Sequence, residues 1–141
     1  MESKNTDDLR VELMESSNID EFLSENEDCF VNESISDVLN RLLAEKNISK
    51  SVLAKNSGIS EVYLHQIFAG RRNPSRNRII CLCYGLGATF DETQELLKLC
   101  SSAQLYPKNR RDAIIIYGLV HGLSLFEIND KLFTEDQETL F

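Results

Sequence analysis

The 141-residue chain is 42% hydrophobic and 27% charged, an ordinary globular composition that supports one moderate core, with or without an arm. Its net charge of −8 is unevenly spread, because residues 1–33 hold eleven acids and two bases while residues 34–141 hold twelve acids and thirteen bases. No run of about 18 apolar residues exists, and Met1-Glu2-Ser3-Lys4-Asn5 opens no apolar stretch, so a membrane span and a signal peptide are both excluded as expectations and the cytoplasm is the expected location. In chain order, residues 6–15 and 18–26 read as two short acidic helices with apolar stripes at Leu9, Leu13 and Met14 and at Ile19, Phe22 and Leu23. Ser17-x-x-Asp20 resembles a capping box with Asp in place of Glu, and the regular stripes predict that this acidic arm docks. Ser34 or Ser36 is expected to cap a helix that runs to about Lys46 on a face of Ile35, Val38, Leu39, Leu42 and Leu43, with Asn47 ending it. Ser49 caps the next helix, which ends at Gly58, and a third spans 61–69. The loop 69–73 leads through Pro74 to a helix over 75–86, and Thr89 or Asp91 begins another that continues to Cys100. Pro107 is placed to open a helix that holds the apolar run 113–117, and Ser124 caps a last one ending near Phe133. The β-branched residues 114–116 sit in flanks that favour a buried helix over a strand, so the expected fold class is all-α. Tyr84-Gly85-Leu86 and Tyr117-Gly118-Leu119 open two stretches with matching glycine, cap and Glu positions, which predicts two stacked helical hairpins.

The most informative segment is 49–78. Two short helix patterns meet at Gly58-Ile59-Ser60, where glycine can take the positive φ that ends one helix and serine can cap the next. Ala54 is small where a second helix crosses, and Ile59, Leu64 and Ile67 can bury the inner face. That is the build of a helix-turn-helix. Residues 46–78 hold seven bases, Lys46, Lys50, Lys55, Arg71, Arg72, Arg76 and Arg78, against the single acid Glu61, the electrostatic footprint of phosphate binding.

The spacing of Leu53, Ala54, Gly58, Ile59, Leu64 and Ile67, followed by Gly70 and Arg71-Arg72-Asn73-Pro74-Ser75, resembles the phage-repressor-like (xenobiotic-response-element) helix-turn-helix family over residues 34–91. The resemblance implies a phage-repressor-like helix-turn-helix bundle with an extra C-terminal helical hairpin, divided into an acidic helical arm at 1–33, a helix-turn-helix core domain at 34–104 and a C-terminal helical extension at 105–141. It implies a DNA-binding transcriptional regulator whose third core helix lies in the major groove of double-stranded DNA with Glu61, Val62, Tyr63, His65 and Gln66 outward. Of these, Gln66 can read adenine, Glu61 can accept from cytosine N4, and Val62 or Tyr63 can touch a thymine methyl. Lys50 takes a backbone-contact position, and Arg71, Arg72, Asn73 and Arg76 clamp phosphates. The stretch Leu105-Tyr106-Pro107-Lys108-Asn109-Arg110-Arg111-Asp112 resembles the tail of a subgroup of such proteins with an acidic arm and a helical extension. That subgroup implies the alternative reading, a protein–protein interaction or signalling adaptor that reuses the fold for a partner such as a kinase. Glu61, the acidic arm and the extension favour it. A homodimer is left open.

Catalysis is not expected. The two histidines, His65 and His121, have no nucleophile elbow, phosphate-cradling glycine loop or metal-ligand spacing around them. Cys29, Cys81, Cys83 and Cys100 form no ligand cluster, and Cys81 and Cys83 read as small buried hydrophobes in a reducing compartment. No cofactor and no metal is expected.

Overall fold

The computed structural model describes residues 4–27 and 33–141, and every regular element among them is an α-helix. The elements are α1 (Thr6–Glu15), α2 (Ile19–Glu25), α3 (Ile35–Glu45), α4 (Lys50–Ser57), α5 (Glu61–Phe68), α6 (Arg76–Leu86), α7 (Phe90–Leu99), α8 (Arg110–His121) and α9 (Leu125–Thr134). They fall into two compact units, Met1–Glu33 and Ser34–Phe141. No helix among the described residues is long and apolar enough to cross a membrane.

In the first unit α1 packs on α2. Asn5 caps α1 through Asp8 N–H at 2.8 Å. Asn18 caps α2 by accepting from Asp20 N–H at 2.9 Å and Glu21 N–H at 3.3 Å, so the cap lies one residue beyond the Ser17 expected from the sequence. Asparagine accepts at an N-terminus as well as serine does, and here it has the extended backbone that a cap requires. Asn26 is buried and ties the unit together: it accepts from Lys4 at 2.6 Å and donates to Glu12 at 2.9 Å. Lys4 first, then Asn26, hold the Glu12 carboxyl below its ordinary range. Of the two expected apolar stripes only Phe22 is buried, and Met14 is 80% exposed.

The second unit has one core, to which α3 through α9 all contribute. Leu105, Ile115, Leu125, Ile128, Leu132 and Leu140 bury in the same cluster as Leu39, Leu53, Leu64 and Ile79, so no break in packing falls at the expected 104/105 boundary. Local chemistry sets each helix start. Ser34, Thr89 and Ser124 form capping boxes with Asp37, Glu92 and Glu127, and Ser49, Ser60 and Ser75 accept single N–H bonds. Pro107 does not open α8. It sits in a turn closed by Asn109 N–H to the Tyr106 carbonyl at 3.0 Å, and Asn109 is the cap. The run 113–117 is helical but only half inward: Ile115 is fully buried, whereas Tyr117 is exposed.

Three helix pairs share one turn. Gly58, Gly87 and Gly122 end α4, α6 and α8 with φ of 67°, 66° and 68°, and each is followed by an apolar residue and a Ser or Thr cap. In each, the apolar residue's N–H reaches the carbonyl five residues back, from Ile59 to Ala54, Ala88 to Cys83 and Leu123 to Gly118. Turn geometry thus pairs Gly118 with Cys83 and Ala54, and the Tyr-Gly-Leu match in sequence does not superpose. α4 crosses α6 closely at Gly85. A Cβ there would stand 2.8 Å from Leu53 Cδ1 and 3.0 Å from Ser57 Cβ, so α4 rides directly on the α6 backbone. The hairpin α8–α9 stacks on α6 and α7, fixed by the Tyr84 hydroxyl donating to the Ile115 carbonyl at 2.6 Å.

Candidate nucleic-acid interface

The turn Gly58-Ile59-Ser60 aims α5. Ser60 Oγ accepts from Tyr63 N–H at 3.2 Å, and Ile59 is buried beneath the turn. Leu64, Ile67 and Phe68 then face the core, which leaves Glu61, Val62 and His65 exposed and Tyr63 and Gln66 half-buried at the edges. Val62, at 71% exposed, is the clearest case of an apolar side chain held in solvent on this face. At the other end of α5, Gly70 takes φ 76° and the N–H of Arg71 returns to the Gln66 carbonyl at 2.9 Å. This closure brings Arg71 back beside Gln66.

The site residues divide into two groups. Lys50, Val62, His65, Gln66 and Arg71 surround an open depression of about 490 Å³ floored by Phe68 and Ala69. The Lys50 ammonium lies 5.4 Å from the Phe68 ring centroid, a contact that holds the start of α4 over the end of α5. On the other edge, Tyr63 carries two guanidinium groups, Arg72 at 5.2 Å and Arg78 at 4.9 Å from its ring centroid. Glu61 is exposed in the first turn of α5, and Asn73 is exposed in the loop beyond.

Arg76 is placed differently from the phosphate clamp expected of it. Its Nε donates to the Ala103 carbonyl at 2.7 Å, and its Nη2 donates to the Gln104 carbonyl at 3.3 Å and to Asp112 Oδ2 at 3.1 Å. Asp112 is buried, 6% exposed, and also accepts from Tyr106 N–H at 3.0 Å. Arg76 therefore ties α6 to α8. Arg78 was absent from the expected set and is the base that reaches the face. Two residues along a helix turn the direction by about 200°, so Arg76 and Arg78 leave α6 on opposite sides. The basic spacing shows that one of them faces outward, but not which one.

Burial and pairing reshape the charge. Lys46 pairs with Glu92 at 3.0 Å and Arg76 with Asp112, which neutralises two of the seven bases in 46–78. Burial works against the ionised Glu92, yet the Thr89 N–H and the Lys46 ammonium outweigh it and hold the carboxyl below its ordinary range. Among the described residues Lys50, Lys55, Arg71, Arg72 and Arg78 make no ion pair, and Glu61 is the one acid within 46–78, so after these pairings the segment keeps a net of +4.

Residues 35–96 match the family model of a helix-turn-helix domain. The match spans α3 to most of α7 and contains the whole depression, Tyr63 and both of its arginines. No curated protein and no solved structure matches the chain. The fold is therefore an all-α bundle with a helix-turn-helix domain, to which α8 and α9 add a hairpin sharing its core.

No group of His, Cys, Asp or Glu able to hold a metal occurs among the described residues. Cys81 and Cys83 are buried on α6, where desolvation pushes their thiols up to about 11 and about 12, and Cys29 lies outside the described residues. His121 sits at the C-terminal end of α8 with its ring 4.1 Å from that of Tyr117.

Proposed function

We propose that the protein is a non-enzymatic, DNA-binding transcriptional regulator of the phage-repressor-like kind, with α5 in the major groove. The observation that supports this most is the set of bases without acid partners around the exposed face of α5. Helix-turn-helix architecture presents such a face to base edges, and the surrounding cations meet phosphates. Gln66 is the group suited to adenine, Val62 to a thymine methyl, and Glu61 to cytosine N4. Lys50 and Arg71 border the depression, and Arg72 and Arg78 flank it on the Tyr63 side. The test is binding of the full chain to a random-sequence duplex across salt concentrations. Contact by these four bases gives a log–log slope of about −3 to −4, at about 0.9 per phosphate. A slope near zero overturns the reading.

A second reading is supported by the hairpin. Ala113, Ile114, Tyr117, Leu123 and Ile128 line an apolar groove of about 600 Å³ between α8 and α9, edged by Glu127 and Lys131. An adaptor that holds a protein partner, such as the kinase implied by the tail resemblance, would use this groove and tolerate Glu61 on α5. Loss of the groove through Ile114→Glu would then abolish partner capture and leave duplex binding unchanged.

A further inference from the structure

We infer that Tyr63 is a positioning residue rather than a base reader: its ring gathers Arg72 and Arg78 into one phosphate clamp on the edge of α5. The inference rests on the DNA-binding reading above. Three observations carry it.

The ring itself is fixed. Tyr63 occupies the third position of α5 with its N–H on the Ser60 cap, and its half-buried side chain packs against the core. Both arginines approach that ring, Arg72 from the loop after α5 and Arg78 from the first turn of α6, where its own N–H is held by Ser75 Oγ at 3.3 Å. Two like charges are thus gathered on one ring, with no acid paired to either among the described residues. Guanidinium groups favour a π face, and a ring restrains side chains that would otherwise lose rotamer freedom on binding an anion. The repulsion between two neighbouring cations is relieved when a phosphate oxygen lies between them, and guanidinium is the cation suited to bidentate phosphate contact. Arg76, by contrast, is already committed to Asp112 and two carbonyls. The load that the sequence assigns to Arg76 therefore falls on Arg78.

The clamp is tested on the full chain with Y63F, Y63L, R78A and R76A. Without DNA, the Arg72 and Arg78 side-chain NMR signals carry a ring-current shift that Y63F keeps and Y63L removes. With a random duplex, R78A reduces the log–log salt slope by about 0.9 and Y63L by up to twice that, while Y63F and R76A keep the wild-type slope. The double variant Y63L/R78A loses less than the sum of the two single changes. Arginine signals that do not move in Y63L overturn the clamp whatever happens with DNA. A salt-dependent wild type whose slope survives Y63L overturns the role of Tyr63 alone. A wild type with no salt dependence overturns the DNA reading and the clamp's phosphate role with it.

Discussion

Arg76 and Asp112 show how a single side chain changes role once its neighbours are known. The Asp112 carboxylate is buried and has two donors, Tyr106 N–H and Arg76 Nη2. Removing the guanidinium leaves a desolvated anion with one donor, and Arg76 is itself partly exposed, which moderates the loss. Arg76→Ala is expected to cost about 2 kcal/mol in urea unfolding and to leave duplex binding by the folded protein unchanged. Cys83 gives a second residue-level expectation. Its thiol is fully buried and raised from 9.0 to about 12, so between those values the unfolded chain ionises while the native thiol does not. Its contribution to stability is complete below pH 9.0 and is lost as the pH rises toward about 12. Unfolding free energy measured from neutral pH to pH 10 should fall above pH 9, and Cys83→Ala should flatten that fall. The roles of Arg76 and Arg78 were not legible in sequence, because both sit in one basic run and only the packing of α8 decides which turns inward.

At the scale of elements, the helix starts were legible because capping is local chemistry. Ser34, Ser49, Ser60, Thr89 and Ser124 all cap where serine or threonine precedes an apolar period. The misses have the same local origin. Asn18 and Asn109 cap helices that Ser17 and Pro107 were expected to open, since asparagine serves equally and a proline turn can precede a cap instead of forming the first helical position. The turn of α4–α5 was legible by itself at Gly58-Ile59-Ser60, but the repeat was read only between α6–α7 and α8–α9, and there on Tyr-Gly-Leu instead of on the glycines that set the spacing. What holds α8 on α9 is a close approach that sequence does not show. A Cβ on Gly118 would fall inside contact distance of Ile128 Cγ1 and the Tyr84 hydroxyl. Gly118→Ala is therefore expected to cost about 1–3 kcal/mol through overpacking, read as a lowered denaturation midpoint, although alanine is the better helix former.

For the whole molecule, residues 1–33 and 34–141 are separate units with opposite electrostatics, −9 against +1. Every residue of the hydrophobic core cluster lies in 34–141, so the fragment 34–141 should unfold cooperatively with a midpoint close to that of the full chain. Losing a tethered polyanion should also tighten duplex binding at low salt, with the gain fading as the Debye length falls below about 8 Å. Equal affinities of fragment and full chain at low salt would show that the arm's charge does not reach the site. The recurrent glycine turn has a consequence for how fast this unit forms. Each turn closes a helix pair from residues adjacent in the chain, so loop closure takes little entropy and the early contacts are local. Two links across pairs, Arg76 to Asp112 and Tyr84 to Ile115, span 36 and 31 residues and are expected to form after the hairpins they join. Tyr84→Phe should then accelerate unfolding and leave the refolding rate nearly untouched, the kinetic signature of hairpins that assemble singly and lock together last.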